Sequence, residues 1–377
     1  MNTTKPNGPG SAAIFAGLFA VALTFSGKAV ADSHERSAIP SVSVFVNSGL
    51  NNPRGLHFGP DGYLYVAEGG IGGSNPACSV VPAVGPYTGS ETGARISRID
   101  RHGHRSTVTD TLPSSQTSVP SGSLISGVAD IAFIDGTLYA LLAGSGCSHG
   151  VTTPNGIARI HRDGTWELIA NLSAFQQANQ VKNPNPGDFE PDGTWWSMVA
   201  VQGDLYAVEP NHGELDKITT RGKITRVIDI SASQGHVVPT SVAHHGNFFV
   251  SNLGTFDPDQ LNTQSIFEIT PSGHLRVVAT GLSKVLGLAF DEDGRLYVLE
   301  TSYSATDPGP VPGTGRLLRI RHNGAKDVLI DSSSGLLTFP TGMTFGPDGA
   351  LYISNVGFGP PPIGLGQILR VQLRDGD

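Results

Sequence analysis

From residue 41 onward the chain alternates short apolar runs with polar, glycine-bearing turns, a period-2 pattern of half-buried strands rather than a helical one. One phrase recurs. It reads Gly55-Leu-His-Phe-Gly-Pro-Asp-Gly-Tyr-Leu-Tyr-Val66 at its first occurrence and Gly342-Met-Thr-Phe-Gly-Pro-Asp-Gly-Ala-Leu-Tyr-Ile353 at its last. Between them lie Ile131-Ala-Phe-Ile-Asp-Gly-Thr-Leu-Tyr139, Val199-Ala-Val-Gln-Gly-Asp-Leu-Tyr206, Val242-Ala-His-His-Gly-Asn-Phe-Phe-Val250 and Gly287-Leu-Ala-Phe-Asp-Glu-Asp-Gly-Arg-Leu-Tyr-Val298. Asp-Gly between two apolar runs is a hairpin signal, because glycine takes the positive φ of a tight turn. A second hairpin follows each phrase, as in Arg95-Ile-Ser-Arg-Ile-Asp100 with Arg105-Ser-Thr-Val-Thr109. The unit is therefore four short antiparallel strands, and six units predict an all-β, six-bladed β-propeller over 41–377.

The ends of the repeat support a closed ring. The sixth unit stops after its third strand, Gln367-Ile-Leu-Arg-Val-Gln-Leu373, while an orphan strand stands at Ser41-Val-Ser-Val-Phe-Val-Asn47. That N-terminal strand is expected to complete the last blade and close the ring, which would satisfy edge backbone groups otherwise exposed. One segment looks helical: Ser173 and Gln176 form a capping-box pattern opening a run to Asn183 that lacks glycine and proline.

Residues 1–31 read differently. Lys5 precedes an apolar run over 12–25, and Ala29-Val30-Ala31 is a small-residue cleavage site, so a secretory signal peptide is expected, with a short linker over 32–40. No other stretch is long and apolar enough to span a membrane. The protein is then secreted or periplasmic, with no membrane span after cleavage. Cys78 and Cys147 are the two cysteines. Exported chains meet an oxidising compartment, so they either pair as a disulfide or remain two thiols.

Composition narrows the class. Gly (49) and Pro (26) are abundant while charged residues make up 15%, which excludes a coiled coil; the lack of a G-X-Y period excludes collagen. The net charge is -8 and the basic residues are scattered singly, so no nucleic-acid stripe exists.

Candidate chemistry gathers on one face. The loops after the second strands are long and unequal (residues 69–94, 144–156, 210–214, 253–265, 301–315 and 356–366), while the opposite turns are mostly tight; Cys78 and Cys147 fall on adjacent loops of the long side. The second strands end in Glu68, Glu209, Asn252, Glu300 and Asn355, a set of hard oxygen donors that would suit Ca²⁺ if it converged on the axis, or would cap each strand locally if it did not. Blade two breaks this pattern with Leu142. His57, His149, His212, His236, His244 and His245 map to first strands or to the long-loop side. His57, His149, His212 and His244 are the acid/base candidates. His102, His104, His161, His274 and His322 fall at turns on the other side and are expected to be exposed. Arg54, Trp195 and Trp196 would line a flat aromatic pocket, with core packing the competing role for a Trp. Gly146-Cys-Ser-His-Gly150 matches G-x-S-x-G, but that motif works on a strand–elbow–helix, which this context does not predict.

Finally, Glu209-Pro-Asn-His-Gly-Glu-Leu-Asp-Lys217, Ser251-Asn-Leu-Gly-Thr-Phe-Asp257, Ile269-Thr-Pro-Ser-Gly-His274 and Leu296-Tyr-Val-Leu-Glu300 resemble the ScyD/ScyE family of exported NHL-type propellers. The likeness runs over essentially the whole mature chain. It implies work outside the cytoplasm on a small indolic or phenolic metabolite at the channel mouth, oxidative coupling in the scytonemin-type pathways. Two other functions compete with it. One is a non-catalytic propeller that binds a ligand or a protein partner. The other is a Ca²⁺-dependent, lactonase-like hydrolase.

Overall fold

The structure is a computed structural model that describes residues 40–255, 261–304, 310–357 and 363–373. The expected signal peptide, and nearly all of the linker, lie outside the described residues. Six antiparallel sheets form the propeller. Blade one contains Pro53–Phe58, Leu64–Glu68, Thr88–Ile99 and Arg105–Gln116; blade two contains Val128–Ile134, Thr137–Leu142, Gly156–Ile160 and Trp166–Asn171. Blade three contains Ser197–Val201, Asp204–Glu209, Glu214–Thr219 and Ile224–Asp229, and blade four contains Pro239–His245, Asn247–Asn252, Gln264–Ile269 and Leu275–Leu282. Blade five contains Val285–Phe290, Leu296–Glu300, Arg316–Ile320 and Lys326–Ile330. Blade six takes Gly342–Phe345, Leu351–Asn355 and Gly366–Gln372 from the C-terminal end and Ser41–Leu50 from the N-terminal end. The closing pair is antiparallel, with Ser41 opposite Gln372 and Val44 opposite Leu369, as the orphan strand implied. Each first strand packs beside the first strands of its two neighbours, so these six strands surround the axis.

The repeated phrase has a physical cause. In blades one, five and six the turn aspartate accepts a hydrogen bond from the tyrosine of the returning strand: Tyr65 Oη to Asp61 at 2.9 Å, Tyr297 Oη to Asp291 at 3.2 Å and Tyr352 Oη to Asp348 at 3.1 Å. The turn glycines 62, 294 and 349 sit at φ of 71–77°. Apolar packing falls between blades rather than within them. Leu141, Leu172, Met198 and Leu205 join blades two and three, and Leu299, Leu317, Ile353 and Leu369 join blades five and six. Blades buried on both faces leave little room for charge, which accounts for the low charged fraction.

Two local features differ from the pattern. Blade one is taller than its siblings. Its third and fourth strands run on as a long hairpin, and the short strands Asn75–Pro76 and Ile125–Ser126 pair onto its end. The helix is Leu172–Ala178, and its cap is Asn171, whose side chain accepts from Ala174 N at 2.8 Å. Ser173 is not the cap: its hydroxyl donates to Asp192 O at 2.8 Å and ties the helix to the loop before blade three.

Candidate functional site

A cavity of about 430 Å³ opens on the long-loop side over blades one to four. Two kinds of segment build it: loops that precede first strands (near Ile125, Asp188 and His236) and loops that follow second strands (near Val84, Asn211 and Leu253). The tall hairpin of blade one raises one wall. The Cys78–Cys147 disulfide closes the loop of blade one onto that of blade two, and Cys78 N also donates to Cys147 O at 3.0 Å. This bridge fixes the segment that brings Val84 and Tyr87 into the wall.

Trp196 and Arg54 form part of the floor. The Arg54 guanidinium lies 4.5 Å from the Trp196 ring centroid, and its Nη2 donates to Ile125 O at 2.5 Å. The stack presents a flat, polarisable surface of a kind that suits an aromatic ring. Trp195 is not part of this surface. It is fully buried in the packing between blades two and three, because neighbouring residues entering a strand point to opposite sides.

Polar groups converge on the opposite wall. Asp188 Oδ2 lies 2.9 Å from His236 Nε2, and Asp188 Oδ1 accepts from Asn211 Nδ2 at 2.9 Å. Next to it, Glu190 is saturated. Its carboxylate accepts from Tyr87 Oη at 3.0 Å and from the Thr194 hydroxyl, and lies 3.0 Å from His149 Nε2. Burial alone would raise the Glu190 carboxyl, but His149, Thr194 and Tyr87 together hold it below its ordinary value. Burial and the same carboxylate push the Tyr87 hydroxyl well up. His212 Nε2 faces the Glu190 carbonyl oxygen at 3.0 Å, and burial lowers its pKa. His149 and His212 therefore support the wall, whereas the partly buried Asp188–His236 pair lines the cavity. Asp188 and Glu190 were not anticipated. Their signal was present: they are two of the three carboxylates inside the proline-rich run Asn183-Pro-Asn-Pro-Gly-Asp-Phe-Glu-Pro-Asp192.

A second, narrower space of about 300 Å³ follows the axis between the first strands. His57 and His244 line it, away from His149 and His212. Its organising group is Asp130, also unanticipated. Asp130 Oδ2 accepts from Met198 N at 2.8 Å and Ser197 Oγ at 3.1 Å, and Oδ1 lies 3.5 Å from His57 Nε2. One carboxylate thus joins blades one, two and three. His244 packs against Phe248, with centroids 5.1 Å apart, and burial followed by the neighbouring His245 lowers its pKa. His245 stacks on Phe290, and the five turn histidines are exposed as expected.

The second-strand ends are not brought together. Each ties its own blade instead. Glu68 accepts from Asn51 N and Arg95 Nε, Glu209 from Thr194 N and His212 N, and Glu300 from Ser283 N and Arg316 Nε. Asn355 Oδ1 accepts from Thr338 N, and Asn252 Nδ2 donates to Ser265 O. Among the described residues no three His, Cys, Asp or Glu side chains gather as a metal-holding group, so the donor set expected for Ca²⁺ is not assembled there. The Gly146–Gly150 motif forms a 3₁₀ turn, and the fully buried Ser148 hydroxyl donates to Asp192 at 2.6 Å, which gives it a structural role.

No family model matches the chain. Over 214 residues it is 24% identical to a gluconolactonase of Zymomonas mobilis subsp. mobilis, a match covering 51% of this chain and 58% of that protein. The chain thus spans little more than half the length of the curated relative it matches. Among solved structures it is similar to a Bacteroides thetaiotaomicron protein of unknown function (TM-score 0.55, 12% identity, 89% of this chain and 76% of that one). It is also similar to the gluconolactonase XC5397 of Xanthomonas campestris (TM-score 0.52, 11% identity, 90% and 91%). At these identities the structural likeness is one of fold. No helix among the described residues is long and apolar enough to cross a membrane.

Proposed function

We propose that this protein works outside the cytoplasm and holds a small aromatic molecule at the long-loop mouth, where His236, oriented by Asp188, moves a proton. The observation that carries this reading is the position of the Arg54–Trp196 stack and the Asp188–His236 pair on walls of one mostly apolar cavity. The stack would take the ring of the ligand, and the imidazole would accept or return a proton at a hydroxyl, an N–H or an attacking water. This ligand class agrees with what the ScyD/ScyE resemblance implies, and the disulfide agrees with export.

The test is isothermal titration of the mature protein with indoles and phenols, followed by turnover assays of the ligands that bind. Binding without turnover of any ligand assigns the non-catalytic role. Lactone hydrolysis is the second reading, favoured by the gluconolactonase relative. In it the same histidine would activate water. A lactone panel run with and without Ca²⁺ separates the two enzymatic readings.

A further inference from the structure

Exposed apolar side chains are not spread evenly over the propeller. Among the described residues nine large ones stand out from the surface, and six of them, Ile71, Val80, Val119, Leu336, Ile363 and Leu365, lie on long-loop-side segments of blades six, one and two. The other three, Val44, Val277 and Val328, lie on outer strands, and none of the nine lies on a turn of the opposite face. Single exposed apolar residues are ordinary on a folded protein, but their segregation to one end marks a contact surface.

Charge is segregated in the opposite sense. Residues 69–90, 111–129, 332–347 and 349–369, which build most of this sector of the mouth side, contain no Asp, Glu, Lys or Arg. The turns of the opposite face carry exposed Asp61, Arg101, Arg162, Lys223, Arg321 and Asp348. The propeller is thus amphipathic along its axis. Its two most prominent apolar tips are held firmly. Val119 is 82% and Val80 62% exposed, and both stand at the tall end of blade one. Ser118 Oγ and Ser121 Oγ donate to Val84 O at 3.0 and 2.7 Å, which ties the turn carrying Val119 to the loop carrying Val80, and the disulfide anchors that loop in turn.

Relief and charge together indicate what covers this end. A stable protein–protein interface needs about 800 Å² of complementary surface on each partner. Separate tips on loops of unequal height around an open cavity form no flat patch of that kind, whereas a lipid surface is deformable and takes each tip singly. Lys and Arg draw proteins to anionic lipid, and these segments have none. We propose that the mouth side of blades six, one and two docks on a lipid surface of neutral headgroups, with Val80 and Val119 entering it. The inference stands apart from the ligand reading, since it needs neither the aromatic ring nor the proton transfer.

The test is flotation of the mature protein with vesicles of phosphatidylcholine, alone or containing phosphatidylglycerol. The wild type is expected to float with both to the same extent. Val80→Asp/Val119→Asp should lower binding about tenfold or more, because apolar area that entered the interface is replaced by charge. Val277→Asp, at an exposed apolar position on an outer strand, should leave binding unchanged. Val119→Asp alone decides the matter if the double variant does not fold. A wild type that does not float with phosphatidylcholine overturns the proposal, as does an equal loss in Val277→Asp or flotation that requires phosphatidylglycerol. A wild-type dimer by light scattering that Val80→Asp/Val119→Asp makes monomeric, without flotation, assigns the face to a second copy and overturns it as well. Indoles that fail to bind leave all these outcomes as they are, so the two readings fail separately.

Discussion

His236 presents Nε2 to Asp188 Oδ2 at 2.9 Å, across two loops that meet only because blades three and four bring them to the same mouth. The carboxylate fixes the orientation of the ring, as an orienting partner does for a general base. His236→Ala is expected to lower kcat by roughly 10²–10³-fold, the usual range for losing such a group. Asp188→Asn should have a smaller effect, because Asn keeps the contact with Asn211 and loses only the charge. Ligand affinity by titration calorimetry should change little in either variant, which separates a chemical role from a binding one.

Trp196 should behave in the opposite way. Its ring forms the floor under Arg54, so Trp196→Ala removes both the stacking surface and the support of the guanidinium. The expected result is a loss of affinity for aromatic ligands of about tenfold or more, corresponding to roughly 1–2 kcal/mol. Trp195→Ala serves as a contrast. It opens a hole in the packing between blades two and three, so a thermal melt rather than a binding assay should register it.

These roles were unequally visible in the sequence. Hairpin periodicity is local, so six blades and the closing strand were legible from the Asp-Gly turns and the orphan Ser41–Leu50 strand. The site is not local. Asp188 pairs with a histidine 48 positions away, and nothing in their spacing announces the contact. Asp130 was more accessible, as the sole charge within the apolar strand Val128–Ile134. The recurrence of second-strand carboxylates also has a local cause. In blades one, three and five, Glu68, Glu209 and Glu300 each accept a backbone N–H from the loop before the first strand.

Asp130 should matter for stability rather than for ligand. Asp130→Ala leaves Met198 N and the Ser197 hydroxyl without their acceptor at the axis. An unsatisfied buried donor costs about 1–3 kcal/mol, so denaturant unfolding should show a loss of that order. Gly55→Ala should fail for a related reason, since a Cβ there would lie 1.8 Å from Asp130 Oδ1 and 2.9 Å from its Cα.

The disulfide links two loops at a sequence separation of 69 residues. A loop of that size corresponds to about 4 kcal/mol in the chain-entropy account. The double variant Cys78→Ser/Cys147→Ser should melt at lower temperature. It should also bind ligand more weakly, because Val84 and Tyr87 reach the cavity from the tethered segment. Reduction of the wild type under native conditions should reproduce both effects.

The pH dependence of stability follows from blade three, where Glu209 and Glu214 lie opposite each other on paired strands and Asp216 follows two residues on. Burial raises all three: Glu209 to about 8, Glu214 to about 7 despite Arg226, and Asp216 well above the carboxylate range. The sign is set by proton count. Between about pH 4.5 and 8 the folded Glu209 keeps its proton while the unfolded chain has released it, so unfolding releases protons and stability falls as pH rises. Glu190 opposes this at the acid end. Its lowered pKa gives stability that is present above the ordinary carboxyl range and lost as pH falls through the folded value. Stability should therefore peak on the acid side of neutrality and decline toward pH 8. Glu209→Gln mimics the protonated acid and keeps an acceptor for Thr194 N, so it should flatten the decline. Melting temperatures of both proteins from pH 4 to 9 check this. Curves that stay parallel across the range would assign the slope to groups other than Glu209.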